Sequence, residues 1–108
     1  MDFTVWNEKD KLFVKLTGEI DHHAVTSVRG EIDSLILKKR PSTLVMKLEE
    51  IDFMDSSGLG FVLGRMRHMN DIKGELIVIN PAKRVVEMLC LAGADKLLKI
   101  VYSTDEAI

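Results

Sequence analysis

Hydrophobic and polar positions along this chain first follow the pattern of β-strands. Residues 3–7 and 12–17 are short apolar runs, and the polar residues between them, 7–10, favour a turn. These runs predict an amino-terminal β-hairpin. Residues 43–48 form a nearly continuous apolar run, which is typical of a strand covered on both faces, and residues 75–79 predict a further strand.

Between these strands, apolar residues recur at the spacing of helices. The first helix is predicted to start after the capping residue Asp21 and to end before Pro41. Its apolar face consists of Val25, Val28, Ile32, Leu35 and Ile36. A second helix is predicted to follow residues 56–58, Ser-Ser-Gly, and to end at the turn at residues 71–74. Its apolar face consists of Leu59, Val62, Leu63, Met66 and Met69.

A third helix is predicted after residue 79. Asn80 followed by Pro81 is the pattern of a helix start, and Gly93 suits the carboxyl-terminal cap. Its buried face is expected to consist of Val85, Val86, Leu89 and Ala92. A last strand is predicted at 99–102, and residues 103–106 have the spacing of a capping box, which predicts a short final helix.

The predicted order of elements is ββαβαβαβ. Strands that alternate with helices favour crossover connections and a sheet with helices packed on it. The expected fold class is therefore α/β, with a mixed sheet of about five strands. The length of 108 residues predicts one domain over residues 1–108.

Composition narrows the possible classes of function. Hydrophobic residues make up 46% and charged residues 30% of the chain, which is typical of a folded soluble domain. The net charge of −2 leaves no basic surplus to neutralise nucleic-acid phosphates, so no direct nucleic-acid partner is expected. The start of the chain lacks a signal-peptide pattern and no apolar run is long enough to cross a bilayer, so we expect a cytoplasmic protein without a membrane partner. The one cysteine, Cys90, excludes an internal disulfide and is expected to be a buried apolar residue.

The segment of residues 55–60, Asp-Ser-Ser-Gly-Leu-Gly, lies where a predicted strand meets a predicted helix. Free backbone N–H groups and the helix dipole favour negative charge at such a position. A serine here is either a plain helix cap or a residue that carries a phosphate close to those donors. Only one of Ser56 and Ser57 can occupy the cap position, and Ser56→Ala is expected to cost stability if Ser56 is that cap.

The glycines of this region do not form a nucleotide-binding motif. Gly58, Gly60 and Gly64 are spaced one residue too far apart for the dinucleotide fingerprint, and no Gly-Lys-Ser or Gly-Lys-Thr completes a phosphate-binding loop. Gly60 and Gly64 lie one helical turn apart. We therefore expect these two glycines to allow close packing against a neighbouring element.

Neither a metal site nor a catalytic centre is predicted. His22 and His23 are adjacent, so their side chains diverge on a helix and cannot chelate one ion in the usual geometry. The nucleophile-elbow pattern is absent because Met54 occupies the position of its first glycine. We expect no cofactor and no enzymatic activity.

Carboxylates cluster around two of the predicted strand-to-helix connections. They are Glu19, Asp21, Glu49, Glu50, Asp52 and Asp55. Such a cluster is either a solvated acidic rim or a docking surface for a basic partner, because opposite potentials steer the encounter of two proteins.

Two sequence motifs resemble signatures of the anti-sigma factor antagonists, a family with the STAS fold. Residues 53–60, Phe-Met-Asp-Ser-Ser-Gly-Leu-Gly, with Gly64-Arg65 beyond them, are similar to one signature. Residues 16–23, Leu-Thr-Gly-Glu-Ile-Asp-His-His, are similar to the other. The resemblance covers nearly the whole chain in matching order. It is closest to the sporulation members, which control the forespore sigma factor.

The resemblance implies a partner-switching cycle. The unphosphorylated protein binds an anti-sigma factor that is also a serine kinase, and this binding frees the sigma factor. The kinase phosphorylates the first serine of the motif, here Ser56, which releases the kinase, and a metal-dependent serine phosphatase reverses the modification. The implied partner-binding residues are Gly18, Glu19, Ile20, Asp21, Asp55, Ser56, Ser57 and Gly58.

Two other functions stay open at this point. One is a STAS-type module that binds a nucleotide or another small ligand and relays a signal. The other is a STAS domain of a membrane transporter or a larger sensor. The presence of both motifs favours the antagonist, which we expect to be monomeric when free.

Overall fold

The computed structural model describes residues 1–102, which form a five-stranded mixed sheet and three α-helices. The strands are β1 (Asp2–Glu8), β2 (Lys11–Ile20), β3 (Thr43–Met54), β4 (Glu75–Ile79) and β5 (Lys99–Val101). The helices are α1 (His22–Lys39), α2 (Ser56–Asp71) and α3 (Lys83–Leu91), and a short 3₁₀ helix, Ala94–Lys96, precedes β5. This architecture confirms the predicted class and strand number, whereas the helix predicted at 103–106 lies outside the described residues. Within residues 1–102, no helix is both long and apolar enough to cross a membrane.

The strands lie in the sheet in the same order as in the chain. β1 and β2 form the predicted antiparallel hairpin, and Lys9 in its turn has a left-handed backbone with φ of 58°. From β2 to β5 all neighbours are parallel, and a helix lies in each connection. Because parallel crossovers are right-handed and the order advances in one direction, the three helices cover the same face of the sheet.

The sheet buries apolar side chains on both faces. Alternate residues point to opposite faces, so Leu12 and Val14 join the main core under the helices while Phe13 points away from it. On this second face, Phe13 belongs to a smaller buried cluster, and Trp6 stacks on it with ring centroids 5.3 Å apart. Burial on both faces explains the nearly continuous apolar run in β3.

Both β2 and β3 run further than the apolar pattern predicts, to Ile20 and Met54. The sequence suggested that Gly18 ends its strand, but β2 continues through it. Gly18 has φ of 106°, which favours glycine, and the pairing with β3 shifts register directly after it. This irregularity lets the polar second halves of both strands stay paired.

The predicted start of the third helix is wrong. α3 begins at Lys83, its cap residue is Ala82, and no side chain caps it. Asn80 instead adopts a left-handed backbone with φ of 50°, and its N–H donates to the carbonyl of Val101 at 2.8 Å. The Asn80 side chain donates to Glu49. Asn80 therefore continues the pairing of β4 with β5 one residue past the end of β4, and this long-range contact is not visible in the local pattern.

The buried face of α3 is narrower than predicted. Val85 and Leu89 are buried, Val86 is half-buried, and Ala92 is exposed. Cys90 is also exposed, so the expectation of a buried cysteine is wrong. Leu89 and Cys90 are adjacent in the helix and point about 100° apart, so only Leu89 faces the sheet.

Gly60 and Gly64 are not sites of close packing, contrary to the sequence-based expectation. A β-carbon added at either position would meet nothing within 4 Å. The tight positions are Gly58 and Gly74, and at Gly74 an added β-carbon would lie 2.8 Å from the carbonyl oxygen of Ser42. The spacing of Gly60 and Gly64 shows that they share one face of the helix, but it does not show whether another element packs against that face.

A buried ion pair joins α1 to α2. The Nε atom of Arg65 lies 2.9 Å from Oδ1 of Asp33, although the two atoms are not aligned for a hydrogen bond. The Arg65 guanidinium also lies over the Phe61 ring, 5.0 Å from its centroid. Burial lowers the pKa of Arg65, whereas the Asp33 carboxylate acts in the opposite direction. Arginine stays charged even so, and its burial therefore depends on Asp33.

Asp33→Leu is expected to destabilise the protein by about 2 kcal/mol, because it leaves a buried guanidinium without a counter-charge. This is below the effect at a fully buried pair, since the Asp33 side chain is 26% exposed. The double variant Asp33→Leu with Arg65→Met is expected to recover most of the loss. Urea unfolding measures all three proteins, and a double variant no more stable than Asp33→Leu would contradict the dependence of Arg65 on Asp33.

Candidate functional site

The two sequence motifs meet where β2 and β3 end side by side. Glu19 pairs with Phe53 and Ile20 with Met54 in the parallel register, so Asp21 and Asp55 follow at the same edge of the sheet. The backbone N–H of Asp55 donates to the carbonyl of Ile20 at 3.3 Å. Residues far apart in sequence therefore form one continuous surface.

An aspartate caps each of the helices that leave this edge. Oδ1 of Asp21 accepts a hydrogen bond from the N–H of Ala24 at 2.9 Å, and Oδ1 of Asp55 accepts one from the N–H of Gly58 at 3.0 Å. Both aspartates have extended backbones, as residues at the cap position do. The two connections have the same local design, which sets two parallel helix starts next to each other.

Neither serine of the motif caps α2, so the alternative that one of them is a plain helix cap is wrong. Asp55 occupies the cap, Ser56 is the first helical residue, and Ser57 is the second. Ser56 is exposed, whereas Ser57 is half-buried. Sequence reasoning missed the role of Asp55, although aspartate before a helix was the available signal. The Ser56 hydroxyl is consequently not needed to start the helix.

Gly58 allows α2 to begin directly against β2. A β-carbon on Gly58 would lie 2.6 Å from the Ile20 carbonyl oxygen and would overlap Cγ of Met54. Ile20 and Gly58 are both buried. Of the eight residues that sequence reasoning assigned to partner binding, these two therefore support the surface from below. Because Ile20 and Gly58 are buried, only their neighbours on this edge present atoms at the surface.

The remaining predicted residues form the rim of this surface. Glu19 is exposed, and Gly18, Asp21 and Asp55 are half-buried. Glu49 and Glu50 lie earlier in β3 and have nearby polar neighbours, because Asn80 donates to Glu49 and Lys15 pairs with Glu50. The acidic cluster is thus divided, and only its end near Ser56 belongs to the shared edge.

The first turn of α2 has donors for an anion. The N–H of Gly58 bonds to the Asp55 side chain and that of Leu59 to the Asp55 carbonyl. Within residues 1–102 the N–H groups of Ser56 and Ser57 have no acceptor, and the first turn of α2 contains no acidic residue. A negative group on Ser56 would lie next to these donors and the positive end of the helix dipole.

The histidines of the edge do not assemble a metal site. His22 and His23 are exposed at the start of α1, and their ring centroids are 6.1 Å apart. No group of three histidine, cysteine, aspartate or glutamate side chains in the described part of the chain could hold an ion. The chemistry that the edge offers is an exposed hydroxyl among carboxylates and helix donors.

A protein-family model and curated relatives both match most of this chain. The family described as the STAS domain matches residues 5–107. The anti-sigma F factor antagonist of Lysinibacillus sphaericus is 38% identical over 85 residues, which are 79% of this chain and 73% of the relative.

Two solved structures are similar over nearly the whole chain. The anti-sigma factor antagonist SpoIIAA in its unphosphorylated form has a TM-score of 0.85 and 33% identity, with 98% of this chain and 91% of that one covered. The Bacillus cell fate determinant SpoIIAA in its phosphorylated form has a TM-score of 0.83 and 32% identity, with 98% and 95% covered. A protein of this shape therefore exists in both states.

Gly58→Ala is expected to destabilise the protein by about 2 kcal/mol, because the added methyl group forces α2 away from Ile20 and Met54. Gly60→Ala is the matched control in the same helix. Its methyl group enters open space and is expected to stabilise α2 by up to about 1 kcal/mol. Thermal unfolding of both variants checks the prediction, which equal effects of the same sign would contradict.

Proposed function

Because this chain belongs to the STAS domain family and to its anti-sigma factor antagonists, we propose that it binds an anti-sigma factor and so frees a sigma factor. The anti-sigma factor is also the serine kinase that modifies Ser56, and the modification ends the binding. A metal-dependent serine phosphatase returns the protein to its binding form. The sporulation sigma factor is the proposed target, since the similar relative is an anti-sigma F factor antagonist.

The exposure of Ser56 is the observation that carries this proposal. Asp55 caps α2 through the N–H of Gly58, and Ser56 is exposed as the first residue of the helix. A kinase can approach this hydroxyl without unfolding the helix. Ser57 is half-buried and points about 100° further round the helix, which favours Ser56 as the acceptor.

Local electrostatics support a switch at Ser56. A phosphate adds about −1.5 to −2 charge at neutral pH. The unpartnered donors of the first helical turn can hold this charge, so the domain itself need not refold. The surface nevertheless becomes more negative next to Asp21, Asp55 and Glu19. A partner that accepts a neutral hydroxyl meets an unpaired charge in its interface, which is costly.

The proposed binding surface combines the two helix starts. It consists of Gly18, Glu19, Asp21, Asp55, Ser56 and Ser57, supported from below by Ile20 and Gly58. We infer that the protein acts as one monomeric domain in the cytoplasm, without catalysis, cofactor or nucleic-acid contact of its own. The acidic rim favours a basic surface on the anti-sigma factor.

Intact-mass measurement tests the cycle directly. The purified protein is mixed with magnesium, ATP and the anti-sigma factor kinase of the same organism. One added phosphate is expected, and peptide mapping is expected to locate it on Ser56. A phosphate on Ser57 alone would defeat the assignment, and incorporation without the kinase would show that the chain has an activity of its own.

Ser56→Asp is expected to weaken binding to the kinase, because it adds charge where the partner meets a hydroxyl. Ser56→Ala is expected to bind normally and to resist phosphorylation. Since Asp55 is the cap, Ser56→Ala should change the free energy of unfolding by less than about 0.5 kcal/mol. Titration calorimetry and urea unfolding measure these effects, and equal affinity of the wild type and Ser56→Asp would refute the electrostatic switch.

Asp21 tests whether the first motif shares the surface. Asp21→Asn keeps a good cap for α1 and removes the charge, whereas Asp21→Ala loses both and is expected to cost about 1 kcal/mol of stability. Both variants are expected to bind the kinase more weakly than the wild type. Wild-type affinity of Asp21→Asn, together with a lower melting temperature of Asp21→Ala, would reduce Asp21 to a helix cap.

A further inference from the structure

An apolar groove lies beside the candidate site, between the end of β3 and α3. It has a volume of about 310 Å³. Its apolar walls are formed by Phe53, Met54, Val85, Met88 and Leu91. Asp52, Arg84 and Glu87 stand at its charged margin. A volume near the lower end of the range for ligand pockets, about 300 Å³, suits one or two side chains.

The groove exposes two large apolar side chains. Phe53 is 45% exposed and Leu91 is 90% exposed. The cause lies in α3, which buries only Val85 and Leu89 among its residues. Contiguous exposed apolar surface with a charged margin is typical of a site of protein association.

The position of the groove identifies what covers it. Phe53 lies three residues before Ser56, so their α-carbons are at most about 11 Å apart. A specific interface covers about 800 Å² on each partner, which is a patch with a radius of roughly 16 Å. A kinase that surrounds the Ser56 hydroxyl therefore also covers Phe53 and the groove beside it.

We propose that this groove is a second, apolar part of the kinase-binding surface and takes one or two apolar side chains of the kinase. The proposal rests on the function proposed above and adds a determinant of partner choice to it. The acidic rim steers the encounter, while apolar side chains buried in a groove contribute most of the affinity.

Methyl NMR of methionine observes the groove without any substitution. Met54 and Met88 line it, whereas Met46 and Met69 are fully buried in the core and serve as internal controls. With 13C-labelled methyl groups, addition of the kinase is expected to shift Met88 and Met54 and to leave Met46 and Met69 in place. If the complex forms and the Met88 signal does not change, the proposed role of the groove in kinase binding is wrong.

Surface variants measure the contribution of the groove. Leu91→Ser is expected to weaken kinase binding about tenfold or more with unchanged unfolding, since Leu91 is 90% exposed. Phe53→Ser is expected to act in the same direction. Leu37→Ser is the matched control, because Leu37 is 71% exposed near the far end of α1, about 24 Å along the helix from Asp21.

The outcomes separate this proposal from the function on which it rests. If Leu91→Ser and Leu37→Ser both bind like the wild type and Ser56 is still phosphorylated, the role of the groove in kinase binding is refuted and the proposed function stands. A shift of Met88 that depends on protein concentration in the absence of kinase would assign the groove to a second copy of this chain and refute the proposal. Failure of the wild type to bind the kinase would overturn both.

Discussion

The parallel pairing of the second halves of β2 and β3 is the constraint on which the site depends. It aligns Ile20 with Met54, and the N–H of Asp55 then bonds to the carbonyl of Ile20. Gly58 completes the junction because a side chain at that position would collide with both strands. Without this contact two helix starts more than thirty residues apart in the chain would not form one surface.

Neighbouring residues at this edge have separate roles: the aspartates cap the helices, and Ser56 does not. Asp55 and Asp21 carry the structural task of capping the helices. This leaves Ser56 exposed and free of any part in helix formation, while the unused donors of the first turn remain next to it. A modifiable residue can change its charge at such a position with little effect on the fold, because the helix start is stabilised by another side chain.

The surface around Ser56 combines charge on one side with apolar area on the other. Glu19, Asp21 and Asp55 give a negative edge, and the groove between β3 and α3 exposes Phe53 and Leu91. Charge favours encounter and register, whereas apolar burial favours affinity. A phosphate on Ser56 would add negative charge to the first of these two parts.

The sequence by itself determined the α/β class, the five strands, the apolar face of α1 and the two motifs, because these depend on local periodicity and residue type. On α2 it identified the buried Val62, Met66 and Met69, but Leu59 and Leu63 are only half-buried, and the buried Phe61 and Arg65 were not predicted. It did not determine the lengths of β2 and β3, since their second halves are polar and are held by pairing with each other. Only the tertiary structure showed that Asn80 bonds to Val101 beyond the end of β4, that Gly58 and not Gly60 is tightly packed, and that Asp55 replaces the serines as the cap. The physical reason is that each of these depends on a contact in space or on a competition between adjacent residues, and neither is encoded in spacing along the chain.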